Sequence, residues 1–178
     1  VFLSLKGIYK SFGGVNALNG VDLTIRRGEI HCLAGENGSG KSTLIKVISG
    51  VHPSSAGEMT IEGCRVTGLT PIEAIQYGIQ VIYQDFAVFS NLTVAENIAM
   101  NHALMTGAKR MKWRKARRLA LDAMEQIGAK MDPDALVEQL SVANKQMVAI
   151  CRAIINDAKL LILDEPTTAL TSNEIHKL

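Results

Sequence analysis

Gly35-Glu36-Asn37-Gly38-Ser39-Gly40-Lys41-Ser42 is the stretch on which the fold is decided. It satisfies G-x-x-x-x-G-K-[ST] at every constrained position. Upstream lies a near-continuous apolar run, Ile30-His31-Cys32-Leu33-Ala34, which reads as a strand buried on both faces of a parallel sheet. Downstream, Ser42 to Ser49 is apolar at Leu44, Ile45, Val47 and Ile48 and is closed by Gly50, so it reads as a helix. A glycine-rich turn between a strand and a helix lets backbone N–H groups point inward around an anion. The helix adds free donors and the positive end of its dipole. Lys41 is placed to reach the outer phosphates of a polyphosphate, and Ser42 to ligate a divalent cation.

Working outward, residues 2–5 and Val21-Asp22-Leu23-Thr24-Ile25 read as short strands, the second strictly alternating. Met59-Thr60-Ile61 and Gln80-Val81-Ile82-Tyr83 are further strand candidates. From Thr93 to Asp157 the pattern turns helical, with one stripe at Trp113, Ala116, Ala120, Met124 and Ile127 and another at Met147, Cys151, Ile154 and Ile155. Leu160-Leu161-Ile162-Leu163 then forms a last apolar strand leading into Asp164-Glu165-Pro166. This order gives an α/β core, residues 1–85 and 159–178, interrupted by a helical subdomain over 86–158. Asp164 and Glu165 fall at the C-terminal end of a core strand, where open α/β sheets bind ligands. Asp164 can hold Mg²⁺ through a water, and Glu165 can polarise an attacking water.

The 178 residues fit one sizeable domain, with 47% hydrophobic and 20% charged residues. That composition excludes a disordered tail. No apolar run approaches the roughly 20 residues of a membrane span. Three cysteines, Cys32, Cys64 and Cys151, without a CxxC pair argue against a disulfide framework or a zinc site. The net charge is +2, yet seven basic residues and no acid lie between Lys109 and Arg118, which leaves the remainder at −5. A mildly acidic chain with one basic stretch is not the profile of a nucleic-acid binder; an approach to anionic lipid head groups is a second reading of that stretch, and a solvated helix face the favoured one.

With these motifs in place, the chain resembles the nucleotide-binding domain of ATP-binding-cassette (ABC) transporters over almost its entire length. The resemblance implies a P-loop NTPase core, a RecA-like sheet plus an antiparallel β subdomain, with a helical insertion. The phosphate loop is 35–42, with Thr43 beside it. Gln84 resembles the Q-loop glutamine, which in the family senses Mg²⁺ and water and contacts the membrane subunit. Leu140-Ser141-Val142-Ala143-Asn144-Lys145-Gln146 falls where the signature LSGGQ belongs; Val142-Ala143-Asn144 replaces Gly-Gly-Gln, and Ser141 is kept. Leu163-Asp164-Glu165-Pro166-Thr167 resembles Walker B with its catalytic Glu165, and Thr168-Ala169-Leu170-Thr171 takes the place of the D-loop. Lys10-Ser11-Phe12 resembles the A-loop, with Phe12 stacking on adenine and Tyr9 as its neighbour.

The details Gly35-Glu36-Asn37-Gly38, Thr93-Val94-Ala95-Glu96-Asn97-Ile98 and Lys145-Gln146-Met147-Val148 are similar to the bacterial monosaccharide importers, and within them to an N-terminal cassette. The implied cofactors are ATP and Mg²⁺. The implied partners are a second cassette, as a head-to-tail dimer or a tandem domain, transmembrane permease subunits and, indirectly, a solute-binding protein. The implied place is the cytoplasmic face of the inner membrane, held peripherally. The rival is a soluble ABC-type ATPase acting on nucleic acid or ribosomes. DNA-repair relatives insert a long coiled coil between the Q-loop and the signature, whereas here 57 positions separate Gln84 from Ser141. The chain opens at Val1 rather than Met and ends at Leu178, before the family's switch histidine, so it reads as a fragment that binds ATP and turns it over slowly. His176 reads as a helix residue rather than that switch; His31, His52 and His102 have no evident partner in the sequence.

Overall fold

The computed structural model describes residues 1–83, 88–105 and 112–164, without the side chains of 101–105. Gln84, Glu165, Pro166, the D-loop positions 168–171, His176 and the side chain of His102 lie outside the described residues. The chain divides into two compact units, Val1–Gln80 and Val81–Leu178.

The first unit is built on an antiparallel sheet. β1 (Leu3–Phe12) and β2 (Val15–Ile25) form a hairpin. β3 (Ala56–Ile61) pairs with the other edge of β1, and β4 (Cys64–Val66) closes the order β2-β1-β3-β4. The strands are longer than the alternating runs suggest. The extension comes from the turn, where Gly13 and Gly14 sit at φ 52° and 88°. Positive φ at both central residues is what a tight two-residue hairpin requires. Register aligns Leu3 with Ile25 and Leu5 with Leu23 on one side, and Leu3 with Ile61 and Leu5 with Met59 on the other. Phe2, Leu3, Leu5, Ile8, Met59 and Ile61 are all buried.

Two helices complete this unit. α1 (Lys41–Ile48) buries Leu44, Ile45, Val47 and Ile48, the apolar positions that mark it in the sequence. α2 (Pro71–Gln76) starts with a capping box: Thr70 Oγ1 accepts from the Glu73 backbone N–H, and Glu73 Oε2 accepts from the Thr70 backbone N–H at 2.8 Å. The Thr70 hydroxyl donates to the same Glu73 oxygen at 2.7 Å, and this bond, together with that from the Thr70 backbone N–H, holds the Glu73 carboxyl below its ordinary range.

The apolar run 30–34 departs from its reading. It is in no strand; Ile30 is fully exposed, and His31 is exposed rather than inside a buried strand. An interior parallel strand needs a neighbour at each edge to satisfy its backbone and a layer on each face. No described strand pairs with this segment, so its hydrophobicity is left facing water.

The second unit is mostly helical. β5 (Ile79–Ile82), which crosses the boundary between units, lies beside β6 (Leu160–Leu163) in a two-stranded sheet. α3 (Val94–Met105), α4 (Trp113–Gln126) and α5 (Val142–Ile154) pack on one another. One cluster joins Val94 and Ile98 of α3 to Ala120, Ala123 and Met124 of α4 and to Val148 and Cys151 of α5. A second gathers Ile82, Ala149 and Ile150. α5 therefore packs on two sides, and the single stripe expected from Met147 to Ile155 is replaced by burial of Ala143, Gln146, Val148–Cys151 and Ala153. Burial pushes the Cys151 thiol up to about 12, which keeps it neutral in the core. On α4 the buried residues are Ala116, Ala120, Ala123 and Met124, and Trp113 is outside the stripe at 61% exposure.

Asn97 organises the start of this unit. It is wholly buried in α3. Its Oδ1 accepts from Phe89 N–H at 2.8 Å, and its Nδ2 donates to the carbonyls of Phe89, Leu92 and Thr93 at 2.9, 3.3 and 3.0 Å. It thus pins the loop 89–93 onto the helix that follows. Asn97→Leu keeps the size and removes every one of these bonds; the Phe89, Leu92 and Thr93 carbonyls keep backbone donors, but Phe89 N–H loses its acceptor, at about 1–3 kcal/mol for an unpaired donor, and the loop loses its ties to the helix. Urea unfolding of the two proteins is expected to show a loss of about 2 kcal/mol or more. An unchanged midpoint would mean that Asn97 carries no such role.

Candidate functional site

The loop 35–40 leads into the N-terminus of α1, and its backbone is the feature on which the site is built. Gly40 is the N-cap residue at φ 93°, ψ 2°. A Cβ there would lie 2.5 Å from the Ala17 carbonyl oxygen of β2 and 3.1 Å from Leu18 Cδ2. Only glycine takes this conformation at this distance from a neighbouring strand without strain. No side chain caps α1, and its first intrahelical bond is Leu44 N–H to Gly40 C=O at 2.9 Å. The amides of Lys41, Ser42 and Thr43 precede that bond and have no carbonyl four residues back in the helix. With Ser42 exposed and Lys41 and Thr43 half-buried, this end is accessible from water.

Lys41 completes the loop. Its Nζ donates to the carbonyl oxygens of Gly35 at 2.6 Å and Glu36 at 2.8 Å, curling the side chain back over the loop. Those contacts are neutral carbonyls rather than anions. A phosphate oxygen is the stronger acceptor for an ammonium. The arrangement therefore combines free amide donors, a helix dipole and one lysine cation around the same turn, which suits a polyphosphate.

Phe12 is at the end of β1 and is 44% exposed, so it is not a core aromatic. His52 meets its ring edge-on, with centroids 5.2 Å apart at 71°, and Lys10 Nζ lies 4.9 Å from its centroid. His52 thus has a partner that its position before Pro53 does not announce. Tyr9 is as exposed as Phe12, with its hydroxyl lying against Gly20.

In the second unit, Ser141 is the N-cap of α5, and its Oγ accepts from Asn144 N–H at 3.2 Å. Val142 is exposed and Ala143 is buried. The residues replacing the two glycines of the common signature thus divide between surface and core. Asp164 follows β6 directly, and its N–H donates to Ile82 C=O at 3.0 Å. Buried polar groups in this unit and at its edge have roles that the motifs do not announce. They include Asn97, described above, the buried Gln146, whose Oε1 has no partner among the described residues, and the buried Nε2 of half-buried Gln80, which has none among them either. The Thr93–Glu96 capping box before α3 is the one local sequence cue to Asn97.

The fold and the loop define the class as a P-loop nucleotide-binding cassette with an antiparallel sheet and a helical unit. The sequence pattern of ABC transporters matches residues 18–168, and the chain belongs to that family. It is 45% identical over 178 residues to a xylose import ATP-binding protein of Geobacillus kaustophilus, covering 99% of this chain and 35% of that protein. It is 43% identical to a D-allose import ATP-binding protein of Escherichia coli and 44% identical to a ribose import ATP-binding protein of Burkholderia cenocepacia, with the same coverage. The chain thus spans about a third of the length of these curated relatives. Among solved structures it is similar to the dimeric post-hydrolysis state of the cassette MJ0796 bound to ADP and Pi. There the TM-score is 0.84 at 28% identity, covering 98% of this chain and 78% of that one. It is also similar to the ADP conformation of the cassette MJ1267, with a TM-score of 0.86 at 27% identity, covering 99% and 73%.

Lys41→Ala leaves the loop amides and removes its cation. Equilibrium titration with a fluorescent ATP analogue is expected to show affinity lower by about tenfold or more, the worth of a charged hydrogen bond. Equal affinities would contradict the role given to Lys41.

Proposed function

We propose that this chain is an ATP-binding and ATP-hydrolysing cassette that powers an importer of a sugar or similar small solute. The observation that carries the proposal is the uncapped N-terminus of α1 entered through Gly40, with Lys41 curled over the same turn. In this reading residues 1–85 and 159–178 form the ATP-binding core, and 86–158 the helical subdomain. The loop Gly35, Glu36, Asn37, Gly38, Ser39, Gly40, Lys41 and Ser42, with Thr43, encloses the phosphates. Lys41 exchanges the Gly35 and Glu36 carbonyls for phosphate oxygens. Phe12, already exposed beside Lys10 and His52, offers its face to the adenine ring.

The Ser42 hydroxyl, exposed on the first turn of α1, and the Asp164 carboxylate at the end of β6 are hard oxygen donors of the kind Mg²⁺ selects. When bound, Mg²⁺ neutralises charge on the phosphates. Gln84 and Glu165 are assigned to sense the metal and to orient and polarise the attacking water. Ser141, fixed as a helix cap, is assigned to the γ-phosphate held by a second cassette, in a head-to-tail dimer or a tandem arrangement.

The relatives' import names support transmembrane permease subunits as partners, with a solute-binding protein acting through them, and a peripheral position at the cytoplasmic membrane face. The dimeric neighbour supports the cassette pairing. A soluble ATPase acting on nucleic acid or ribosomes draws no support from these names.

Binding and turnover are separable. In the complete polypeptide, Glu165→Gln is expected to keep ATP affinity and to slow phosphate release by about a hundredfold or more, the worth of a positioned general base. Parallel titration and phosphate-release assays of the two proteins check it. Undiminished release would remove Glu165 from the chemistry.

A further inference from the structure

The first nine residues of α4, with Lys112 before them, carry a surface that the ATP site does not use. Trp113 is 61% exposed and Leu121 is 40% exposed. Lys112, Arg114, Lys115, Arg117 and Arg118 are all exposed as well. At helical spacing Trp113, Arg117 and Leu121 follow one another at i, i+4 and i+8, and Arg114 and Arg118 form the adjacent row. The opposite side of the helix is the buried one, at Ala116, Ala120, Ala123 and Met124, so the exposed rows are not needed for packing. Among the described residues, one carboxylate from another segment pairs with the patch: Asp134 accepts from Arg117 Nε and pairs with its Nη2 at 3.2 Å. Asp122 and Glu125 begin only in the C-terminal half of α4, so positive charge is confined to its start.

We infer that this face of α4 docks on a bilayer surface rich in acidic phospholipid. Indole and leucine in the same row as arginines match the requirements of the lipid headgroup region, where the apolar parts enter and the guanidinium groups stay with phosphate. A single-stranded nucleic acid would call for successive aromatic platforms, and this face carries one aromatic ring. The inference rests on the surface of α4 alone and holds whatever the catalytic rate of the cassette.

The chain has a single tryptophan, so its emission reports on Trp113. Vesicles of phosphatidylcholine, with and without phosphatidylglycerol, are titrated into the chain at low salt, and bound protein is followed by emission and by co-sedimentation. The expected result is a blue shift and co-sedimentation with the anionic vesicles only, both declining as salt is raised. Arg114→Ala combined with Arg118→Ala is expected to lower anionic partitioning by about thirtyfold, at about fivefold per charge. Asp134→Asn frees Arg117 and is expected to raise it by about fivefold while leaving neutral vesicles unbound, a selective gain that misfolding does not produce. Equal binding to both vesicle types, no binding to either, or indifference to these substitutions would overturn the inference. Salt-sensitive binding of an oligonucleotide through Arg114 and Arg118, without vesicle binding, would assign the face to nucleic acid instead.

Discussion

The account depends on one constraint: α1 begins at a residue that has no room for a side chain. Gly40 stands against Ala17 and Leu18 of β2 with its backbone in the left-handed region. Because that approach excludes any larger residue, no Ser, Thr, Asp or Asn can occupy the N-cap and satisfy the first-turn amides from within. The amides of the first turn are thereby kept for an external acceptor. The hairpin and the buried face of α1 hold the two sides of this contact in place. The charge of Lys41 is folded inward over the same turn rather than dispersed in water.

The helical unit solves a different problem. α5 has to bury two flanks and still present its N-terminus at the surface. Small residues make this possible: Ala143, Ala149 and Ala153 let neighbours approach closely, while Val148, Ile150 and Cys151 fill the clusters on either side. Ser141 satisfies one amide of the exposed end, and Val142 beside it remains in solvent. The departure of this signature from two glycines is therefore accommodated locally, with a buried methyl at Ala143 and a capped first turn.

Much of this was legible in the sequence, for reasons tied to particular residues. The loop and α1 could be read because Gly40, Lys41 and Ser42 stand in fixed order and the apolar spacing of Leu44 to Ile48 follows one helical face. The helix starts at Lys41 instead of Ser42, a one-residue shift at a fraying end. The reach of β1 and β2 went unread because alternation breaks at their irregular register between Leu5 and Ser11, while the Gly13-Gly14 turn carries the signal. α2 was hidden in Thr70-Pro71-Ile72-Glu73, too short for periodicity but marked by its capping box. Apolar composition misled at Ile30–Ala34, since hydrophobicity cannot say whether a strand has neighbours. It misleads again at Trp113, which stands in helical register with an apolar stripe although alanines fill the buried side. The roles of Gln84 and Glu165 belong to the family resemblance and to the experiments that probe them.

Amide hydrogen exchange at the start of α1 tests the central claim most directly. With and without ATP and Mg²⁺, exchange is followed at Gly38, Gly40, Lys41, Ser42 and Thr43. The account predicts rapid exchange at these positions in the free chain, because they lack intrahelical partners, and marked protection once nucleotide is present. Amides inside α1, from Leu44 onward, should change little. Protection that is already complete without nucleotide, or nucleotide-dependent protection that bypasses the loop and the first turn, would contradict it.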